Sequence, residues 1–334
     1  MKKKAIALIS GGLDSLLAAR LVAEQGIEVA GIVFVMPFAS RDIDHFKEKV
    51  SEAARGAGIT VRFEDISGQF LRMLKNPRHG YGANINPCID CKIMMLSNAR
   101  RVMKQEGADF IITGEVLGEM PMSQRKEALN IIEKESALKG YLLRPLSAKL
   151  LRPVIAEEKG IVDREKLMAI EGRSRKPQLA LARKFGITKF FSPAGGCLLT
   201  DPIFTEKLKD LIEKDDLTPE QVALLKYGRH FRLDDKTKII VGRDEKDNDM
   251  LIALKKDKDI IIRLVNDPGP YALLRGKTTR ENILKAASFV VSHSRKKEEK
   301  RVKVEYWKKE DKRTEIEAEK LPMNEIVHMR VNKR

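Results

Sequence analysis

The chain opens on a repeating alternation of short apolar runs and amphipathic stretches. Residues 4–9 form an apolar run that ends in Ser10-Gly11-Gly12-Leu13-Asp14-Ser15, and residues 16–25 then carry apolar positions at helical spacing up to Gly26. That order reads as strand, tight loop, helix. Residues 28–35 repeat the buried-strand pattern, so the opening forty residues predict a βαβ unit with a right-handed crossover. Residues 60–66 and 109–113 add two more strands, with helices expected over 44–56 and 93–107 between them. The expected class is α/β, built on a doubly wound parallel sheet.

Beyond Asp201-Pro202 the pattern changes. Thr218-Pro219-Glu220-Gln221 combines a Thr cap, Pro at the first helical position and Gln three residues after the cap, which predicts a helix to about residue 227. Strand-like stretches at 238–241 and 259–265 follow, then a helix opened by Thr278, with Glu281 three residues on, running to about 291. This is the pattern of a small α+β domain. The boundaries suggested are a first domain over 1–202, a helical linker over 203–228, a second domain over 229–310 and a charged tail over 311–334. From Arg295 the charges alternate densely, as in a solvated helix or a mobile end.

A length of 334 residues suits two domains of ordinary size. The longest apolar runs, 5–9 and 27–36, fall short of the roughly 20 residues that cross a bilayer, so no membrane span is expected. The opening Met-Lys-Lys-Lys leads into Ser-Gly-Gly and not into a cleavage region, which suggests a cytoplasmic protein. A homodimer is compatible with all of this. Sixty-four Lys and Arg against 48 Asp and Glu give a net charge of +16, which favours a polyanionic partner such as nucleic acid. Residues 229–334 hold 28 basic and 19 acidic residues, so the surplus is concentrated there. The Lys and Glu bias resembles that of heat-adapted proteins and bears on stability only.

A Ser-Gly-Gly-Leu-Asp-Ser loop between a strand and a helix gathers backbone N–H groups and hydroxyls at a helix N-terminus, where an anion is favoured. A Walker loop is excluded, because no Gly-Lys-Ser/Thr follows. The motif resembles the PP-loop of the ATP pyrophosphatases. That resemblance implies ATP binding by Ser10, Gly11, Gly12, Leu13, Asp14 and Ser15, with Asp14 beside the pyrophosphate and its Mg2+. Thr113-Gly114-Glu115, with Leu117-Gly118 and Ser123-Gln124, lies where open α/β sheets bind ligands and looks like the second nucleotide motif of the 4-thiouridine synthetases. Phe34 is either a contact for adenine or a core aromatic.

Three cysteines, an odd number, argue against a disulfide framework. Cys88 and Cys91 lie in Asn86-Pro87-Cys88-Ile89-Asp90-Cys91-Lys92, and Cys197 lies in Ala194-Gly195-Gly196-Cys197-Leu198. Three thiolates can hold three corners of an iron–sulfur cluster; a closed zinc site would need a fourth ligand such as His79; two of the thiols could instead run a persulfide and disulfide relay. The tRNA 2-thiouridylases place cysteines in an Asn-Pro segment and in a later Gly-rich loop, matched here by Cys91 and Cys197. The additional Cys88 resembles the cluster-dependent thiolases, which implies a 4Fe–4S cluster with one open iron. A basic loop at Arg173, Arg175 and Lys176 is a candidate contact for RNA phosphate.

Arg229-His230-Phe231-Arg232, Val241-Gly242-Arg243 and Asn248-Asp249 resemble the RNA-binding domain of the NFACT family, which implies phosphate contacts from Arg229, Arg232 and Arg243. His230 alone reads as a surface or core histidine. Together these resemblances imply an ATP-dependent tRNA uridine sulfurtransferase that releases AMP and pyrophosphate, taking sulfur from sulfide or a persulfide carrier. Two rivals remain: a PP-loop ligase or amidotransferase on a small molecule, and an RNA- or ribosome-binding factor whose loop only senses nucleotide.

Overall fold

The computed structural model describes residues 3–38, 43–191 and 197–331. The chain divides into two compact units, Met1–Thr200 and Asp201–Arg334. Among the described residues no helix is long and apolar enough to cross a membrane.

The first unit runs β1 (Lys4–Leu8), α1 (Leu13–Ala23), β2 (Glu28–Val35), α2 (Ile43–Gly56), β3 (Thr60–Asp65), α3 (Ser67–Lys75), α4 (Cys88–Gln105), β4 (Phe110–Ile112), α5 (Lys126–Glu135), β5 (Leu142–Leu143), α6 (Ile155–Glu158) and α7 (Lys176–Phe185). Its five strands pair in the order β3-β2-β1-β4-β5, all in parallel. Both faces of the sheet are covered, because alternate residues of β1 point to opposite sides. Ala5 and Ala7 pack with Leu16, Ala19 and Val22 of α1, while Ile6 packs with Leu96, Ala99 and Val102 of α4 on the other side. Each fully buried Leu or Val contributes roughly 1.5–3 kcal/mol, so these two layers hold the unit together. The α/β class expected from the apolar pattern is the one observed.

The second unit runs α8 (Pro202–Glu213), α9 (Pro219–Leu224), β6 (Arg229–Asp234), β7 (Thr237–Val241), α10 (Glu245–Ala253), β8 (Ile260–Leu264), β9 (Ala272–Arg275), α11 (Arg280–Ser292), β10 (Val302–Trp307), β11 (Thr314–Ala318) and α12 (Met323–Met329). Its six strands form an antiparallel sheet in the order β11-β10-β8-β9-β7-β6. Ile239, Val241, Ile262 and Leu274 face Ala286, Phe289 and Val290 of α11, and Ile240, Ile261 and Leu273 face Leu224 and Leu251 on the other side.

Three sequence expectations change here. The stretch 311–334, expected as a charged tail, carries β11 and α12; alternating charge on β10 and β11 supplies the solvent-side residues of a half-buried strand pair, with Val302 and Val304 facing inward. Residues 203–228, expected as a linker, carry α8 and α9 inside the second unit, with Phe204, Leu208, Leu211 and Val222 buried. The cap of α11 is Thr279, not Thr278, because its hydroxyl is the one that accepts from Asn282 N–H.

Candidate active site at the sheet's switch point

β1 lies between β2 and β4, so the chain reverses its direction of winding at β1, and the crevice beyond the carboxyl ends of these strands is where such sheets hold ligands. A cleft of about 590 Å3 opens there. It is lined by Ser10, Gly12, Leu13, Asp14 and Ser15 of the loop after β1, by Phe34 at the end of β2, and by Thr113 and Gly114 after β4. Phe34 also belongs to the core under the sheet, so it is at once a core aromatic and part of the cleft wall.

The loop holds its shape through its own hydroxyls. Ser15 Oγ donates to Gly12 O at 2.8 Å and accepts from Ser10 N–H at 3.2 Å, while Ser10 Oγ accepts from Gly12 N–H at 3.3 Å. Gly12 caps α1 without a side-chain hydrogen bond, so the helix presents its first-turn N–H groups toward the cleft. Gly11 sits at φ +79°, in the left-handed region that favours glycine. Gly114 allows the closest approach: a Cβ there would lie 2.4 Å from Ser15 N and 2.5 Å from Asp14 C.

Polar groups without partners converge beside the loop. Asp14 Oδ1, Arg175 Nε and both amide atoms of Gln178 are buried with no hydrogen bond among the described residues. Burial raises the Asp14 carboxyl above the usual carboxylate range, against the pull of the Arg175 guanidinium. Glu119, also in the cleft wall, is raised by burial and by the charge of Asp14 facing it. Two carboxylates that repel each other beside an uncapped helix N-terminus are a donor set that suits Mg2+. Of the basic loop, Arg175 reaches the cleft, whereas Arg173 and Lys176 are exposed.

α4 begins at Cys88, five residues earlier than the apolar pattern suggested, and this puts Cys88 and Cys91 on one face of its first turn. The backbone N–H of Cys91 donates to Pro87 O at 2.8 Å. All three cysteines are free; Cys88 and Cys91 are half-buried and Cys197 is exposed and lines the cleft. The glycines before Cys197, at 195 and 196, lie outside the described residues. Burial pushes the Cys91 thiol up to about 12, with Lys92 opposing and Cys88 and Cys197 adding to the rise. Desolvation raises the Cys197 thiol too, against the N–H of Leu199 and reinforced by Cys88. The three sulfurs therefore sense one another. At neutral pH Cys91 is almost wholly protonated and a poor free nucleophile, whereas coordination to a metal would remove its proton.

Among the described residues, no three His, Cys, Asp or Glu side chains converge on a point as a single metal ion requires. Thiolates of a cluster each bind a different iron and need no such convergence. His79 is not available as a zinc ligand: its Nδ1 faces Asp90 Oδ1 at 3.2 Å and its Nε2 faces Glu135 Oε1 at 3.3 Å. Asp90, between the two cysteines, also accepts from the backbone N–H groups of Arg78 and His79 and so pins the preceding turn to α4.

The sequence reading missed Lys92. Its Nζ lies 3.3 Å from Glu115 Oε1 and it lines the cleft next to the cysteines. Glu115 is buried, accepts from Arg144 Nε at 3.0 Å and from Thr113 Oγ1 at 3.1 Å, and Arg144 continues to Glu133 at 3.0 Å. Although burial alone would raise it, Lys92 and Arg144 hold the Glu115 carboxyl down at about 2. The signal was present in the spacing, because Lys92 follows Cys88 at i+4 on the helix face that carries the thiol.

In the second unit Arg232 is committed: its Nε and Nη2 bind Asp210 at 3.1 and 2.5 Å, and Nη1 binds Asp235 O. Arg243 pairs with Asp247 through Nε at 2.5 Å and Nη2 at 3.1 Å and keeps an exposed edge. Among the described residues Arg229 has only a long hydrogen bond, 3.4 Å, to Gly242 O. His230 is a core histidine, fully buried with Nε2 2.8 Å from Tyr227 O, and burial with Lys207 and Lys238 nearby drives its pKa well down.

Comparison with known proteins agrees with this division. Residues 1–162 match the family described as thiamine biosynthesis protein (ThiI), and residues 228–330 match the NFACT protein RNA binding domain. The probable tRNA sulfurtransferase of Thermococcus kodakarensis is 32% identical over 147 residues, 43% of this chain and 36% of that protein. The tRNA sulfurtransferase of Mannheimia succiniciproducens is 25% identical over 221 residues, 64% of this chain and 38% of that protein. The chain thus spans well under half the length of these relatives. A solved 4-thiouridine synthetase–RNA complex with bound ATP is similar at 20% identity, covering 55% of this chain and 52% of that one, with a TM-score of 0.34, a likeness too slight to argue from.

Proposed function

We propose that the chain is an ATP-dependent tRNA uridine sulfurtransferase, a PP-loop enzyme that adenylates a uridine carbonyl and replaces its oxygen with sulfur. One observation carries the reading: a single cleft receives the phosphate-binding loop, Lys92, Arg175 and Cys197. The similarity of the first unit to tRNA sulfurtransferases and of the second to an RNA-binding domain supports a tRNA substrate.

In the first step the uridine carbonyl oxygen attacks the α-phosphorus of ATP, the bond to the β-phosphate breaks, and pyrophosphate leaves. The first-turn N–H groups of α1 and the Ser10 to Ser15 loop hold the β- and γ-phosphates. Lys92, kept charged by Glu115, faces the charge that develops on the α-phosphate. Asp14 and Glu119 would hold Mg2+, which would neutralise the departing pyrophosphate. In the second step sulfide forms a bond to the same carbon, the carbon–oxygen bond to AMP breaks, and the proton of the sulfide passes to solvent. No net oxidation occurs. Cys88, Cys91 and Cys197 would hold three irons of a 4Fe–4S cluster, which would supply an open iron position for the sulfur donor.

Two measurements test this. Pyrophosphate release should depend on tRNA and vanish in Asp14→Asn; release without tRNA would favour a small-molecule ligase or amidotransferase, and no release with RNA binding intact would favour an RNA- or ribosome-binding factor. Anaerobically purified protein should carry about four irons with matching sulfide, lost in Cys197→Ala. Zinc, or no metal, would reject the cluster.

A further inference from the structure

We infer that the second unit holds a phosphodiester of its RNA partner in a clamp made by Arg229 and Arg330, flanked by Arg243 and His293. The inference rests on the reading that this unit binds RNA, and it assigns that binding to a place. Arg330 follows α12, and the chain there returns to the free edge of the sheet: Arg330 pairs with Phe231 in an antiparallel bridge, and Val331 N–H donates to His230 O at 3.0 Å. Residues 229 and 231 share one face of β6. His293, just after α11, lies on that same face, its ring 5.6 Å from that of Phe231. Two arginines and a histidine that are far apart in sequence are therefore gathered at one corner.

The corner has too little negative charge. Asp247 is the carboxylate that opposes the fall in the Arg229 pKa, and its oxygens already accept from Gly228 N–H, from Arg243 N–H and from the Arg243 guanidinium. Among the described residues neither Arg229 nor Arg330 has a carboxylate partner, and Arg330 Nε is buried with no hydrogen bond at all. Lys207 lies close by and spends its Nζ on the carbonyls of Leu225 and Gly228. The cations repel one another: burial and then Arg243 and Arg330 lower the Arg229 pKa, while Arg229 and Arg330 add to the burial that lowers His293. An arginine fork without a carboxylate is shaped for two oxygens of one phosphate. Arg232, whose donors are taken by Asp210, belongs to the framework instead.

The test is binding of a fluorescein-labelled tRNA transcript to the full chain across a salt series, read by anisotropy, with urea denaturation of each variant alongside. Arg229→Gln and Arg330→Gln should each weaken binding about tenfold near 0.1 M salt and flatten the log–log salt slope by roughly 0.7–0.9. Arg330→Lys should keep most of the slope. Lys309→Gln, which removes an exposed cation between β10 and β11 at the edge of the sheet opposite β6, should leave it unchanged. Arg330→Gln should also raise the urea midpoint, since it relieves the repulsion among the cations of the corner; a structural arginine would lower it. Wild-type slopes in both glutamine variants, the same loss in Lys309→Gln, or a lowered midpoint in Arg330→Gln would overturn the clamp while RNA binding stood. A wild-type chain that binds no tRNA would overturn both readings.

Discussion

Replacing Glu115 by Gln should cost the first unit about 3 kcal/mol and remove an acid-dependent part of its stability. Glu115 is 2% exposed and lies between Lys92 and Arg144, with Arg144 shared by Glu133. The amide can still accept from Thr113 Oγ1, so shape and that hydrogen bond survive while the central negative charge does not. Its carboxyl is held at about 2 against an ordinary 4.5. A difference of about 2.5 units at roughly 1.36 kcal/mol each is some 3 kcal/mol, within the 3–5 kcal/mol typical of breaking a buried ion pair. The sign follows from linkage: a depressed carboxyl stabilises fully above its unfolded value, and that stabilisation is lost as pH falls from about 4.5 toward 2. Urea unfolding followed by far-UV circular dichroism sees both units, whereas the single tryptophan, Trp307, reports the second, so the first-unit transition can be assigned by difference. With a slope near 2 kcal/mol/M the midpoint should drop by about 1.5 M at pH 7, and the variant should lack the acid slope of the wild type. A drop below about 0.3 M, or an unchanged acid slope, would refute the idea that Glu115 is the counter-charge for Lys92.

Gly114→Ala should abolish ATP protection of the first unit against unfolding, because its methyl group would meet the backbone of Asp14 and Ser15 at about 2.5 Å; undiminished protection would show that the loop can yield. In metal-free protein at pH 7.5, iodoacetamide should label Cys197 well before Cys91, whose thiol sits at about 12, with peptide mass spectrometry as the readout; equal rates would contradict the burial argument. Lys207 and Lys238 are both lowered to about 8 from an ordinary 10.5, so the unfolded chain binds more protons between those values. Second-unit stability should therefore rise with pH from about 8 to 10.5, by up to roughly 3 kcal/mol per lysine, as followed by Trp307 fluorescence in urea.

Where a single side-chain period governs a segment, the sequence was easy to read. β1, α1, β2 and β4 follow from runs of apolar residues with one period, and the phosphate-binding loop follows from its glycines. β10 and β11 were hidden because their surplus of Lys and Glu masked the inward Val302 and Val304. The start of α4 was hidden because Pro87 caps it without a side-chain signal, so the spacing of Cys88 and Cys91 could be read as one turn but not as the first turn of a helix. Lys92 and Arg330 are legible only once the chain is folded, since each owes its setting to residues far away: Glu115 and Arg144 in one case, Arg229 and Phe231 in the other. Arg232 shows the converse, since a basic residue in the right motif proves to be tied to Asp210.

The return of the chain from α12 to β6 also sets an order of assembly. Phe231 and its bridge partner Arg330 stand almost a hundred residues apart, so the corner they share cannot form until nearly all of the second unit has left the ribosome. Until then Arg229 is a single cation on an unfinished edge, no better at holding a phosphate than any other surface arginine. On the reading that this corner holds a phosphate, a half-made second unit lacks that grip until α12 brings Arg330 to the edge of β6.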